Sequence, residues 1–177
     1  LVKMAKYVLI FTFSVEGAGA LLLSTQFIPE FGILKGIYYS IFHAISAFCN
    51  AGFDLMGNFK SLTSYYDNGV IILTIGGLIA CGGLGFFVWQ EIYNYKGLKK
   101  LSLHSKLAIT TTLILIFGGA ILMFLFEYNN PGTMKDMSLK GKLLSSLFAS
   151  ITPRTAGFNS ISTADMSPAG RFLTMIL

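Results

Sequence analysis

The chain has 177 residues, of which 54% are hydrophobic and 12% are charged, and its formal net charge is +5. Soluble domains carry about 25% charged residues, so this composition favours a membrane protein and argues against a soluble one. The positive charge does not indicate nucleic-acid binding, because the sequence has no basic face with interleaved aromatic residues; in membrane proteins, surplus lysine marks cytoplasmic loops.

Three apolar windows are long enough to cross a membrane, which requires about 20 residues. They comprise residues 7–28, 70–89 and 107–126, and a fourth apolar helix is expected to begin near Pro168 and to continue past Leu177. Because the chain starts with leucine and ends within this apolar stretch, we expect it to be a piece of a longer protein.

Two other segments, residues 36–49 and 143–152, are apolar but too short to cross the membrane. The longer one would form a helix of about 21 Å at 1.5 Å per residue, whereas the hydrocarbon layer is about 30 Å thick. Apolar segments of this length are typical of re-entrant or interfacial helices. Cys49 and Cys81 lie in apolar segments, where we expect small buried side chains rather than a disulfide.

Lysine is concentrated on one side of the predicted spans. Four lysines and no acidic residue occur in the stretch NYKGLKKLSLHSK at 94–106, between the second and third windows: Lys96, Lys99, Lys100 and Lys106. Lys3 and Lys6 precede the first window. By the positive-inside rule both regions are cytoplasmic, so each short segment is expected to enter and leave the membrane from the outer side.

The order of elements occurs twice. A long apolar segment, a short one, an Ala-Gly-Phe loop and a further apolar segment follow one another, and the loops at 50–54 (NAGFD) and 155–159 (TAGFN) are offset by 105 residues. The same offset is expected to superpose the last apolar segment on the second window. We therefore predict an all-α, polytopic membrane protein with two units, 1–95 and an incomplete 107–177, joined by a cytoplasmic linker at 96–106.

The Ala-Gly-Phe loops have a composition suited to an ion filter. Irregular backbone at membrane depth is tolerated only where it is buried in protein or lines a water-filled cavity, and carbonyl oxygens around a common axis can replace the hydration shell of K⁺. Gly52 and Gly157 permit the positive φ that such loops require. Asp54 and Asn159 would lie at the outer mouth. The alternative is that each glycine only forms a turn between packed helices.

Three stretches resemble the Trk/Ktr/HKT superfamily of potassium transporters, and within it the Ktr branch with its bacterial membrane subunit KtrB. They are FHAISAFCNAGFDLMGNF at 42–59, GGLGFFVW at 82–89 and SLFASITPRTAGFNSI at 146–161. The resemblance implies four units of helix, re-entrant pore helix, filter loop and helix, as in K⁺ channels, around one ion path. This chain would carry the second unit and an incomplete third, without the family's gating loop, so we do not expect it to conduct ions alone.

The resemblance also implies which residues bind the ion and what the chain assembles with. K⁺ would be coordinated by backbone carbonyls of both loops: Asn50, Ala51, Gly52, Phe53, Thr155, Ala156, Gly157 and Phe158. Na⁺ is a candidate coupling ion, and no organic cofactor or further metal is expected. The implied partners are membrane lipid, the missing units of the same polypeptide, a second subunit in a homodimer and a cytosolic nucleotide-binding ring. The implied location is the bacterial plasma membrane.

Three further polar residues have open roles. Glu16 lies midway along the first window, where a charge costs at least about 2.5–3.5 kcal/mol. Three roles are open for Glu16: it could brace the filter through a hydrogen bond, attract cations, or be a protonated or paired acid packed between helices. His43 is expected to be a packed polar residue rather than a metal ligand. Arg154 is expected either to pair with Asp165 or to tune the potential beside the second loop.

Two other functions have less support from the sequence. A membrane-embedded enzyme is disfavoured, because the sequence contains no HExxH, no paired intramembrane aspartates and no Gly-x-Ser-x-Gly motif. A truncated membrane remnant that transports nothing is the main alternative, since two units cannot enclose a four-sided filter. A reading frame that continues into two more such loops would exclude it.

Overall fold

The computed structural model describes residues 2–58, 60–94 and 101–177, and these ranges contain seven α-helices and no strand. The helices are α1 (Val2–Phe31), α2 (Ile33–Phe48), α3 (Gly69–Gly83), α4 (Phe86–Asn94), α5 (Leu103–Glu127), α6 (Leu139–Ile151) and α7 (Pro168–Ile176). The predicted all-helical class is confirmed. Lys96, Lys99 and Lys100 of the predicted cytoplasmic linker lie outside the described residues.

Two helices, α1 and α5, are long and apolar enough to cross a membrane, and there is a third crossing if α3 and α4 form one bent span. These features are those of a multi-pass membrane protein. Both long helices extend beyond the predicted windows. α5 starts early because the Ser102 hydroxyl accepts a hydrogen bond from the Ser105 amide, which caps the first turn ahead of the apolar residues.

The prediction of one continuous helix over residues 70–89 is wrong. α3 and α4 are bent by 92° at the break between them. Gly85, in this break, has a φ of 81°, a left-handed conformation that glycine adopts without a steric penalty. Near the end of α3 the Cys81 carbonyl accepts a hydrogen bond of 2.9 Å from the Trp89 indole, which ties α4 back to α3. Hydropathy does not detect the bend, because both halves are apolar.

The short helix α2 folds back on α1 as a tight hairpin. Gly32 joins the two helices with a φ of 82°. A Cβ atom on Gly36 would lie 2.6 Å from the Ile28 Cα atom, so only glycine permits this approach of the backbones. On the other side, a Cβ atom on Gly82 of α3 would lie 1.9 Å from the Phe48 carbonyl oxygen. Close backbone contacts therefore hold α2 between α1 and α3.

The second short helix, α6, packs on α5 and on α3, so it links the two units. One buried cluster joins α1, α2, α3 and α6, and its members include Leu23, Phe27, Ile75, Ile79 and Phe148. A smaller cluster lies around α5, α6 and α7: Met123, Met134, Ala149, Ile161, Met166 and Leu173. Large apolar residues remain more than half exposed on α1 and α5, as expected for helices that face lipid; examples are Phe13, Leu21 and Ile114.

The offset of 105 residues fails for the helix that follows each loop. α7 begins at Pro168 and α3 at Gly69, so the offset there is 99 residues (168 − 69). The prediction that 105 residues superpose the last apolar segment on the second window is therefore wrong by six residues. Each helix start is set by a capping side chain, that of Asn68 or Ser167, which accepts hydrogen bonds from first-turn amides.

Candidate ion-binding site

The two Ala-Gly-Phe loops, residues 50–53 and 155–158, touch each other through their glycines. A Cβ atom on Gly52 would lie 2.5 Å from the Ala156 carbonyl oxygen and 2.8 Å from the Gly157 Cα atom. A Cβ atom on Gly157 would lie 3.1 Å from the Gly52 Cα atom. The fold therefore brings the two motifs together, and a side chain at Gly52 would force the backbones apart.

The two loops share a pattern of backbone conformation. φ is positive at the first and third residue of each: 51° at Asn50, 72° at Gly52, 65° at Thr155 and 79° at Gly157. When positive and negative φ alternate, neighbouring amides turn to one side and neighbouring carbonyls to the other. Positive φ in the β-branched Thr155 is an outlier and costs about 1–3 kcal/mol, so the surrounding structure holds this residue in place.

Hydrogen bonding divides the eight predicted carbonyl ligands into two groups. The Phe53 oxygen accepts a hydrogen bond of 2.7 Å from the Ser46 hydroxyl, and the Phe158 oxygen accepts one from the Thr152 hydroxyl. Six other oxygens accept no hydrogen bond from any described residue: those of Asn50, Ala51, Gly52, Thr155, Ala156 and Gly157. These six can therefore coordinate a cation without breaking a bond within the protein.

Each loop is anchored to the short helix that precedes it. The Ala51 amide donates to the Ser46 carbonyl at 2.9 Å, and the Ala156 amide donates to the Thr152 carbonyl at 3.1 Å. Ser46 and Thr152 thus each hold a loop twice, through the backbone carbonyl and through the hydroxyl. The anchoring restricts the loop backbone, as a site that must hold carbonyls in fixed positions requires.

The two predicted outer-mouth residues differ in their contacts. The Asp54 carboxylate accepts a hydrogen bond of 2.9 Å from the Met56 amide, which forms a local turn. Asn159 is hydrogen-bonded to the other unit instead. Its backbone amide donates to the Ser61 hydroxyl at 3.0 Å, and its backbone carbonyl accepts from the Leu62 amide at 2.9 Å. Both follow directly on their loops, but only Asp54 adds negative charge.

His43 is fully buried and links α2 to the segment after the first loop. Its Nδ1 atom lies 2.7 Å from the Tyr39 carbonyl oxygen, and its Nε2 atom lies 3.3 Å from the Leu55 amide nitrogen. Nδ1 therefore carries the proton and donates, while Nε2 accepts. Since both ring nitrogens are engaged, the prediction of a packed polar residue is confirmed.

Glu16 lies on α1 behind the first loop and is 8% exposed. Among the described residues its hydrogen-bonding partner is the Cys49 thiol, at a sulfur–oxygen distance of 4.0 Å. Cys49 is exposed and Cys81 is half-buried, so the prediction of two buried thiols is wrong. Cys49 lies just past the end of α2, where the chain leaves the packed helix and its side chain loses cover. The bracing role of Glu16 stays a prediction. Among the described residues, its hydrogen bond to the segment before the loop is the one from the Cys49 thiol.

Arg154 does not pair with Asp165. One guanidinium nitrogen, Nη2, donates to the Thr112 carbonyl on α5 at 3.1 Å. Asp165 accepts a hydrogen bond of 2.6 Å from the Ser162 hydroxyl instead. Of the two alternatives for Arg154, the pairing is therefore wrong, and an effect on the local potential remains.

Glu127, a fully buried acid at the end of α5, is a structural residue that we did not predict from the sequence. Its Oε1 atom accepts hydrogen bonds from the Ser167 amide and hydroxyl at 3.0 and 2.6 Å. Its Oε2 atom accepts from the Asn130 and Thr133 side chains, both at 2.7 Å. Because Ser167 caps α7, this carboxylate fixes α7 to α5. The available signal was an acid at the end of an apolar window with serine, threonine and asparagine nearby.

The whole chain, residues 1–177, matches the TrkH family of cation transport proteins. The chain belongs to this family. It is 47% identical over 176 residues to the potassium/sodium uptake protein NtpJ of Enterococcus hirae, covering 99% of this chain and 38% of the relative. It is 39% identical to the Ktr system potassium uptake protein B of Bacillus subtilis (99% and 39% covered) and 34% identical to that of Vibrio alginolyticus (99% and 38% covered).

These comparisons confirm the resemblance to the Trk/Ktr potassium transporters. The relatives are uptake proteins for potassium or for potassium and sodium, which is consistent with transport rather than enzymatic activity. The chain spans about two fifths of the length of these relatives.

Proposed function

We propose that this chain forms part of the ion-conducting membrane subunit of a potassium uptake transporter, and that its two Ala-Gly-Phe loops are two of four filter segments. The observation that carries the proposal is the contact between Gly52 and Gly157, together with the six carbonyl oxygens that accept no hydrogen bond from the described residues. Loops that only form turns between packed helices require neither the contact between the glycines nor the unbonded carbonyl oxygens.

The proposed path runs inward from the outer mouth. A hydrated K⁺ is attracted by Asp54, passes Asn159, and exchanges its water for loop carbonyls. α2 and α6 end just before the loops, so their C-termini direct partial negative charge towards the ion. Phe53 and Phe158 use one lone pair of their carbonyl oxygens in a hydroxyl bond, so they are the weakest of the eight proposed ligands.

The rest of the transporter completes the filter in this proposal. Two further loops from other units of the same polypeptide close the four-sided site, and the subunit forms a homodimer in the bacterial plasma membrane. The segment 96–106 is cytoplasmic, on the side of a nucleotide-binding ring that regulates transport. Na⁺ is a candidate coupling ion, and the name of the Enterococcus hirae relative, which includes sodium, supports this.

The proposal is tested by K⁺ uptake in cells that lack their own uptake systems. The full-length gene product is expressed with Gly52→Ser, Gly157→Ser or Gly118→Ser, and each variant is quantified in the membrane. We expect the first two to lose uptake, or to raise the half-saturating K⁺ concentration at least about tenfold, which corresponds to about 1.4 kcal/mol. Both residues have positive φ and face another backbone.

Gly118→Ser is the matched control, because a Cβ atom at Gly118 would meet no atom of this chain within 4 Å. Its uptake should equal that of the unchanged protein. Normal uptake by both filter variants at normal expression would contradict the proposal and leave the glycines as structural turns.

A further inference from the structure

A cavity of about 490 Å³ lies where the two short helices give way to the two loops. Its wall includes Asn50 and Thr155, the first residue of each loop, together with Gly83 of α3 and Thr112 of α5. An ion that leaves the loops on the inner side therefore enters this cavity if the proposed path is correct. Among the described residues that line the cavity, Arg154 is the one with a charged side chain.

The charge of Arg154 is not neutralised by any described residue. Its Nη2 atom donates to the Thr112 carbonyl at 3.1 Å, and its buried Nε atom has no hydrogen-bond partner. The Asn50 side-chain oxygen in the same wall is also buried and without a partner. Arg154 follows the end of α6, so its positive charge offsets the partial negative charge at the C-terminus of that helix.

The equivalent position of the first loop carries no positive charge. Subtracting the offset of 105 residues from 154 gives position 49. Cys49 is uncharged there, and its thiol lies 4.0 Å from the Glu16 carboxyl group. The two flanks of the paired loops therefore differ: an acid lies behind the first and a cation beside the second.

We propose that Arg154 determines how strongly cations are retained on the inner side of the filter, and that it excludes divalent cations there. The inference rests on the proposed transport function. A conducting site must bind ions weakly enough to release them, and a fixed positive charge in the wall of an ion path weakens cation binding. Because the electrostatic energy scales with ion charge, the energetic penalty from Arg154 is twice as large for a divalent cation as for K⁺. The factor by which the Arg154 charge lowers the affinity for a divalent cation is therefore the square of the factor for K⁺.

The test uses the full-length gene product in liposomes, with rubidium flux as the readout and Ba²⁺ as the divalent probe. In Arg154→Gln the charge is lost, but the amide can still donate to the Thr112 carbonyl. If removal of the charge raises Rb⁺ affinity by about tenfold, it should raise inhibition by Ba²⁺ by about 100-fold, the square of that factor. Arg154→Met should give the same squared relation, whereas Arg154→Lys should behave like the unchanged protein.

Arg171→Gln is the matched control, because Arg171 also donates to a backbone carbonyl, that of Ala164, but does not line the cavity. It should change neither affinity. If Arg154 only holds the loop on α5, the Gln and Lys variants, which can still donate to the Thr112 carbonyl, should behave like the unchanged protein. The Met variant alone should then change, with Rb⁺ and Ba²⁺ affected equally; that result would overturn the inference alone. Absence of flux in the unchanged protein would overturn the proposed function and this inference with it.

Discussion

The two Ala-Gly-Phe loops have matching backbones and different surroundings. Both have positive φ at their first and third residues, yet the Phe53 side chain is 69% exposed and the Phe158 side chain is fully buried. The short repeated motif therefore encodes the local conformation, because glycine and the anchoring hydroxyls act within a few residues. Burial of the phenylalanine depends on the residues packed around each loop, and these residues differ between the two copies of the motif.

The neighbours of Phe158 explain its burial. Phe158 belongs to the main core cluster, and its ring centroid lies 6.3 Å from that of His43 on α2. Phe158 of the second loop thus packs against the short helix of the first unit, whereas none of the described residues covers Phe53 to the same extent. The first unit therefore buries the phenylalanine of the second loop.

The largest expected effect concerns these two phenylalanines. Phe158→Ala should destabilise the full-length protein by about 3–5 kcal/mol, because it opens a cavity in a packed core. Phe53→Ala should change stability by less than about 0.5 kcal/mol, as for an exposed side chain. Thermal unfolding of both purified variants in detergent checks the difference. Equal destabilisation would mean that a surface outside this chain covers Phe53, and the asymmetry would be lost.

An intermediate effect is expected where α3 supports the first short helix. Gly82→Ala should destabilise the protein by about 1–3 kcal/mol through overpacking, because the new methyl group would lie 1.9 Å from the Phe48 carbonyl oxygen. Gly77→Ala is the control, since its Cβ atom would meet nothing within 4 Å. Membrane yield and melting temperature give the readout. If both variants are equally stable, the close approach of α3 to α2 is not essential to the first loop.

The smallest effect should come from the hydroxyls that hold the two phenylalanine carbonyls. Ser46→Ala and Thr152→Val each remove one hydrogen bond, with an expected cost of about 1 kcal/mol. Because both loops use the same kind of anchor, the two variants should lower the K⁺/Na⁺ uptake ratio by similar amounts while expression stays normal. A loss in one variant only would show that the loops contribute unequally to selectivity.

Helix positions could be predicted from local sequence, and tertiary contacts could not. The apolar windows located α1 and α5, and Pro168 located the start of α7, since these signals lie within or next to each helix. The bend at Gly85 was missed, because apolar residues flank it on both sides. Glu127 and the partner of Arg154 were also missed, because their hydrogen bonds involve residues up to 40 and 42 positions away.

The sequence alone determined the all-helical membrane class, the two Ala-Gly-Phe motifs and the need for glycine within them, because hydrophobicity and backbone freedom are properties of individual residues and short runs. Tertiary structure decided that Gly52 and Gly157 meet, that the Phe158 side chain is buried while that of Phe53 is exposed, and that a glutamate lies near the first loop and an arginine beside the second. These features depend on how α2, α3 and α6 pack, and packing is fixed by contacts between residues far apart in the chain.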